Sequence, residues 1–81
     1  MEYEALVIIL SAGGSPLTGD TLDALPDVRA TWVRVEREGS AACLAARVRH
    51  PDAPDRFRDR IRQWGAARGW TVTVARQAPD R

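Results

Sequence analysis

Residues 5–10 form an unbroken apolar run, ALVIIL, and no other feature of the chain constrains its fold as strongly. Six residues are too few for a buried helix, and the β-branched Val7, Ile8 and Ile9 favour extended backbone. A strand with no polar alternation must be covered on both faces, so residues 3–10 are expected at the centre of a sheet. The run is also far short of the ~20 apolar residues that a membrane-crossing helix needs. Glu2 and Glu4 stand where a secretory signal would carry basic residues, so none is expected.

The next segments supply the rest of the sheet. Residues 28–38 alternate, with Thr31, Val33 and Val35 on one face and Trp32, Arg34 and Glu36 on the other. Residues 41–49 alternate again, with Ala42, Leu44, Ala46 and Val48 inward and Cys43, Ala45, Arg47 and Arg49 outward. Glu38-Gly39-Ser40 joins them as a hairpin turn. A last strand is expected over residues 70–76, with Val72 and Val74 inward and Thr71 and Thr73 outward. Residues 77–81 read as a frayed polar tail, which leaves one domain over residues 1–76.

Two helices are expected between these strands. Leu17, Leu22 and Leu25 recur at roughly helical spacing after Thr18, which reads as an N-cap, and Pro26 stops the segment. After Pro51 and Pro54, Phe57, Ile61 and Trp64 fall at i, i+4 and i+7, a single apolar stripe, with Gly69 as the residue beyond the helix end. The order β-α-β-β-α-β defines an α+β, ferredoxin-like sandwich. Right-handed crossovers then give a four-stranded antiparallel sheet in the order 4-1-3-2, with both helices on one face.

A single helical layer leaves the other sheet face open. The alternation places Trp32, Arg34, Cys43, Ala45 and Arg47 there, joined by Val7 and Ile9 from the first strand. An apolar patch of this kind on a small domain marks a contact surface, and a homodimer is the expected use of it. Binding of RNA bases would need aromatic rings on the two central strands. The third strand offers Cys43 and Ala45 in those places, so no nucleic-acid partner is expected. Twelve basic and eleven acidic residues, interspersed to a net charge of +1, agree with that.

Little in the chain suggests catalysis. Ser11 and Ser15 lack a nucleophile-elbow context, and His50 is the single histidine. One cysteine and one histidine provide no metal-binding spacing, so no enzyme activity, cofactor or metal is expected of this domain. A lone cysteine cannot form an internal disulfide and fits a reducing cytoplasm. The Arg-rich segment Arg56, Arg58, Arg60, Arg62 and Arg68 is interleaved with Asp55 and Asp59 and reads as a solvated, salt-bridged face. One stretch does invite a ligand. Gly13 and Gly14 permit close backbone approach, and a helix N-terminus would follow, so Ser11, Gly13, Gly14, Ser15 and Thr18 form the candidate ligand set.

Two stretches, LVIILSAGGSPLTGDTL and VRATWVRVEREGSAACLAARVRHPDAPDRFRDRIRQWGAARGWTVTVARQ, carry a family resemblance over most of the chain. The chain resembles ACT domains, and among them the copies at the N-terminus of some bacterial phosphoserine phosphatases. The resemblance implies a regulatory module of amino-acid metabolism that pairs with its own kind and binds an amino acid, such as serine, near the first strand–helix loop. Gly13, Gly14 and Pro16 match the usual loop pattern; its acidic residue is replaced, and Leu17 stands where a glycine would follow. The phosphatase D-x-D-x-T motif is absent from these residues. The alternative use of the same fold is a purely structural interaction domain working through the open sheet face.

Overall fold

The computed structural model describes residues 2–13 and 16–79. Four ten-residue strands form the sheet: β1 (Tyr3–Ala12), β2 (Arg29–Glu38), β3 (Ala41–His50) and β4 (Trp70–Pro79). All pairings are antiparallel and the order is β2-β3-β1-β4, which counted from the other edge is 4-1-3-2. β1 is therefore central, as its apolar run demands. The class is α+β with one open four-stranded sheet.

One α-helix among the described residues, α1 (Pro54–Ala66), packs on this sheet. Its Pro54 sits in the first turn, where a missing N–H leaves no bond unmade. Gly69 ends the excursion with φ +78°, a conformation that side chains resist. Phe57, Ile61 and Gly65 face the sheet, and Trp64 is half-buried with its ring edge-on to Trp70 at 5.4 Å. Arg68 also lies over the Trp64 ring, its guanidinium carbon 4.7 Å from the centroid.

The expected first helix does not form. Residues 18–25 contain one 3₁₀ turn, Thr21–Ala24. The Thr18 hydroxyl bonds the Asp20 carboxylate, and the Thr18 N–H donates to Thr21 Oγ1 at 2.9 Å. Those local bonds favour a turn over a helix, and Pro16 and Pro26 leave few residues for a longer one. The apolar spacing is still used: Leu17 and Leu22 are fully buried and Leu25 partly so. This connection covers the β2 side of the inner sheet face while α1 lies against β4.

Three further expectations are corrected. β1 has the opposite phase: Ala5, Val7, Ile9 and Ser11 point into the core, and Leu6, Ile8 and Leu10 occupy the open face. Thr31 lies at a register shift between Ala30 and Trp32, is exposed, and donates its hydroxyl to the Arg47 carbonyl at 3.3 Å. Such a bulge re-phases the strand, so Ala30, Val33 and Val35 share the inner face. Finally, pairing of β4 continues to Pro79 rather than fraying from Gln77, whose side-chain amide donates to the Pro54 carbonyl at 3.0 Å.

His50 is wholly buried at the end of β3. Its ring lies parallel to Phe57 with centroids 3.6 Å apart, and Tyr3 stacks beyond it at 5.8 Å. Neither ring nitrogen has a hydrogen-bond partner of good geometry among the described residues. Burial pushes the imidazole below its ordinary pKa of 6.5, against the opposing pull of the Asp52 carboxylate and Gln77. The unfolded chain therefore binds more protons than the folded one between the lowered value and 6.5. His50's contribution is intact above that range and is lost as pH falls through it. Urea unfolding at pH 7.5 and pH 5.5 is expected to show a lower midpoint at the acid value. His50→Phe should remove that difference, and a wild-type midpoint independent of pH across this range would contradict the assignment.

Arg60 centres a polar cluster between α1 and the first connection. Arg60 donates two bonds to the Asp27 carboxylate, at 2.6 and 3.0 Å, and lies 3.3 Å from Asp52. The Arg60 bond holds the Asp27 carboxyl below the usual carboxylate range. This ties the end of the 3₁₀ connection to α1. The expected salt-bridged face of α1 is seen in Arg58 with Asp55 and Asp59.

Candidate interaction face and strand-end cleft

Cross-strand register sets the side chains of the open face in rows. One row runs Glu36, Cys43, Leu10, Thr71; the next Arg34, Ala45, Ile8, Thr73; the third Trp32, Arg47, Leu6, Arg76. The apolar centre is asymmetric. Leu6, Ile8 and Leu10 make a ridge along β1, and the smaller Cys43 and Ala45 make a trough beside it on β3. Leu10 is 49% exposed and Trp32 46%, the large hydrophobic side chains that burial leaves outside. Around them stand charges: Arg34 pairs with Glu36, and Arg47 and Arg76 flank Leu6.

Of the contact residues read from the sequence, Trp32, Arg34, Cys43, Ala45 and Arg47 share this face as expected from their alternation. Val7 and Ile9 do not; both are fully buried against the helical layer. Leu6, Ile8 and Leu10 take their place. A signal for the correct phase was available in Glu2 and Glu4, whose even-numbered positions mark the wetter face of β1.

At the hairpin end this face deepens into a cleft of about 500 Å³. Its lining includes apolar Leu10, Ala41 and Cys43, charged Glu36, Arg37 and Glu38, and the hydroxyl residues Ser11 and Thr71. The Arg37 guanidinium also bonds the Leu17 carbonyl, which fastens the first connection beside the cleft.

The described members of the ligand set expected from the loop, Ser11, Gly13 and Thr18, sit in different surroundings. Ser11 lines the cleft but is largely buried within β1. Gly13 is exposed with φ +103°, and Thr18 is committed to its own turn with Asp20 and Thr21. Gly14 and Ser15 lie outside the described residues. Because a single 3₁₀ turn replaces the helix, the N-terminal dipole expected to hold an anion after Thr18 is not built.

Among the described residues no cluster of three or more His, Cys, Asp or Glu side chains is arranged to hold a metal ion. No helix among them is long and apolar enough to cross a membrane. Comparison with family models, with curated proteins and with solved structures finds no match to this chain.

Proposed function

We propose that this chain is a non-catalytic association module of ferredoxin-like, ACT type that works through its open sheet face. One observation carries the reading: the Leu6–Ile8–Leu10 ridge, half-buried at Leu6 and Ile8 and exposed at Leu10, lies on the open face beside the Cys43–Ala45 trough, with exposed Trp32 at the margin. A domain of this size has few apolar side chains to spare for water, and a contiguous apolar patch rimmed by charge is the usual mark of a protein contact. The resemblance to ACT domains supplies the regulatory role, in the cytoplasm and in amino-acid metabolism, for an enzyme on the same chain or another.

Ala45→Arg places a charge in the trough without touching the core. Wild type is expected to sediment above monomer mass at micromolar concentration or to retain a partner protein, and the variant to do neither. Equal behaviour of the two proteins, with both folded by circular dichroism, would contradict the reading.

A second reading is favoured by the cleft. Arg37 lines the cleft together with Glu36, Glu38, Leu10 and Cys43, so charges of both signs beside apolar surface are available to the carboxylate and ammonium of a small amino acid. A ligand that binds the folded state raises the melting temperature by mass action. Serine, tested first among the twenty amino acids, is expected to raise it, and Arg37→Ala to abolish the rise. A melting temperature unmoved by any amino acid at millimolar concentration would remove this reading and leave the first intact.

A further inference from the structure

We infer that the partner on the open face is a second copy of this chain, related by a two-fold axis running close to the strand direction between β1 and β3. This rests on the association reading above and adds the identity and orientation of the partner.

The argument is one of self-complementarity. Rotation about that axis lays β1 of one copy over β3 of the other, row upon row. The Ile8 side chain then meets the partner's Ala45, and Leu10 meets the partner's Cys43. In these two rows large side chains fall on small ones, which is what close packing between two layers requires, and in the third Leu6 meets the aliphatic stem of the partner's Arg47. An isologous interface must match a surface to itself, and a ridge next to an equal trough does so.

Charge selects the same axis. At the margins the rotation carries Trp32 over the partner's Arg76, a cation–π pairing, and Arg34 over the partner's Thr73. No row brings like charges face to face. The other in-plane two-fold, perpendicular to the strands, stacks β2 on β2 and sets Arg34 against the partner's Arg34. It also sets ridge against ridge.

The area is sufficient. Four strands of ten residues, at ~3.3 Å per residue and ~4.8 Å between strands, present roughly 600 Å² per copy. The pair would bury about 1,200 Å², above the ~1,000 Å² expected of a specific interface.

Thr73 tests the orientation because it is exposed, lies on β4 and is remote from Arg34 within one copy. Sedimentation equilibrium is run on wild type, Thr73→Glu and Thr73→Arg, with Ala45→Arg as the face-blocking control. Glutamate facing the partner's Arg34 is expected to tighten the dimer about threefold or more, and arginine to weaken it comparably. Weakening by both substitutions, while Ala45→Arg still abolishes the dimer, would overturn this axis in favour of the perpendicular one. Equal dimerisation of both with wild type would also overturn it. A wild type that stays monomeric to hundreds of micromolar would overturn the choice of partner itself.

Discussion

Truncating Phe57 to alanine is expected to cost about 3–5 kcal/mol and to leave the domain largely unfolded at 37 °C. Phe57 is fully buried on α1 and carries the ring on which His50 stacks at 3.6 Å. Its removal strips the helix of its largest sheet-facing side chain and opens a cavity beside two unpartnered imidazole nitrogens. Native domains of this class hold only ~0.05–0.15 kcal/mol per residue, so the loss is comparable to the whole margin. Urea unfolding followed by far-ultraviolet circular dichroism checks this. Phe57→Leu, which keeps most of the volume, should retain a cooperative transition at a lower midpoint. An alanine variant within 1 kcal/mol of wild type, by the linear dependence on urea, would show that α1 is not anchored where described.

Gly65→Ala should destabilise as well, although alanine is the better helix former. A Cβ built at Gly65 would stand 2.2 Å from Val72 Cγ2 on β4. Intrinsic helix propensity favours alanine over glycine by at most ~1 kcal/mol. Overpacking a closed helix–sheet contact costs about 1–3 kcal/mol, and Val72, β-branched and held in a paired strand, has little room to turn away. The clash is therefore expected to win. The double variant Gly65→Ala/Val72→Ala should recover part of the loss, since the methyl group it removes is the one in the way. If Gly65→Ala alone stabilises the protein, the helix does not approach β4 this closely.

These two contacts show which parts of the structure could be read from sequence. The alternation of β2 and β3 identified their faces because polar and apolar residues mark them, and the i, i+4, i+7 stripe of Phe57, Ile61 and Trp64 identified α1. The phase of β1 is weakly marked for a physical reason: its run from Ala5 to Leu10 is apolar on both sides, Glu4 at the strand's start is the one polar marker before it, and pairing of Val7 with Ala46 and Ile8 with Ala45 decides it. Thr31 was misplaced because a bulge breaks the two-residue period, and Thr has no strong preference for either face. Leu17, Leu22 and Leu25 recur at helical spacing and do turn to the core, yet the segment forms a single 3₁₀ turn, since apolar spacing over so short a stretch suits either. Close approach at Gly65 left no trace in the pattern, where glycine reads only as a weak helix former.

The candidate site divides in the same way. Trp32, Arg34, Cys43, Ala45 and Arg47 were legible as one face because they lie on the alternating strands. The cleft was not, since it arises where Leu10, Glu36 and Thr71 meet from three different strands. A glycine-rich loop drew attention instead to residues 11–18, of which Ser11 is buried in β1 and Thr18 is bonded within its own turn.

Methyl spectra of isoleucine-labelled protein recorded over a concentration series test the open face most directly. The chain has three isoleucines: Ile8 on the open face, and Ile9 on β1 and Ile61 on α1, both fully buried in the core. The Ile8 signal is expected to shift with concentration while those of Ile9 and Ile61 stay fixed, as association through the ridge requires. Three signals that stay fixed from ten micromolar to one millimolar, or a shift confined to Ile9 and Ile61, would contradict self-association through this face.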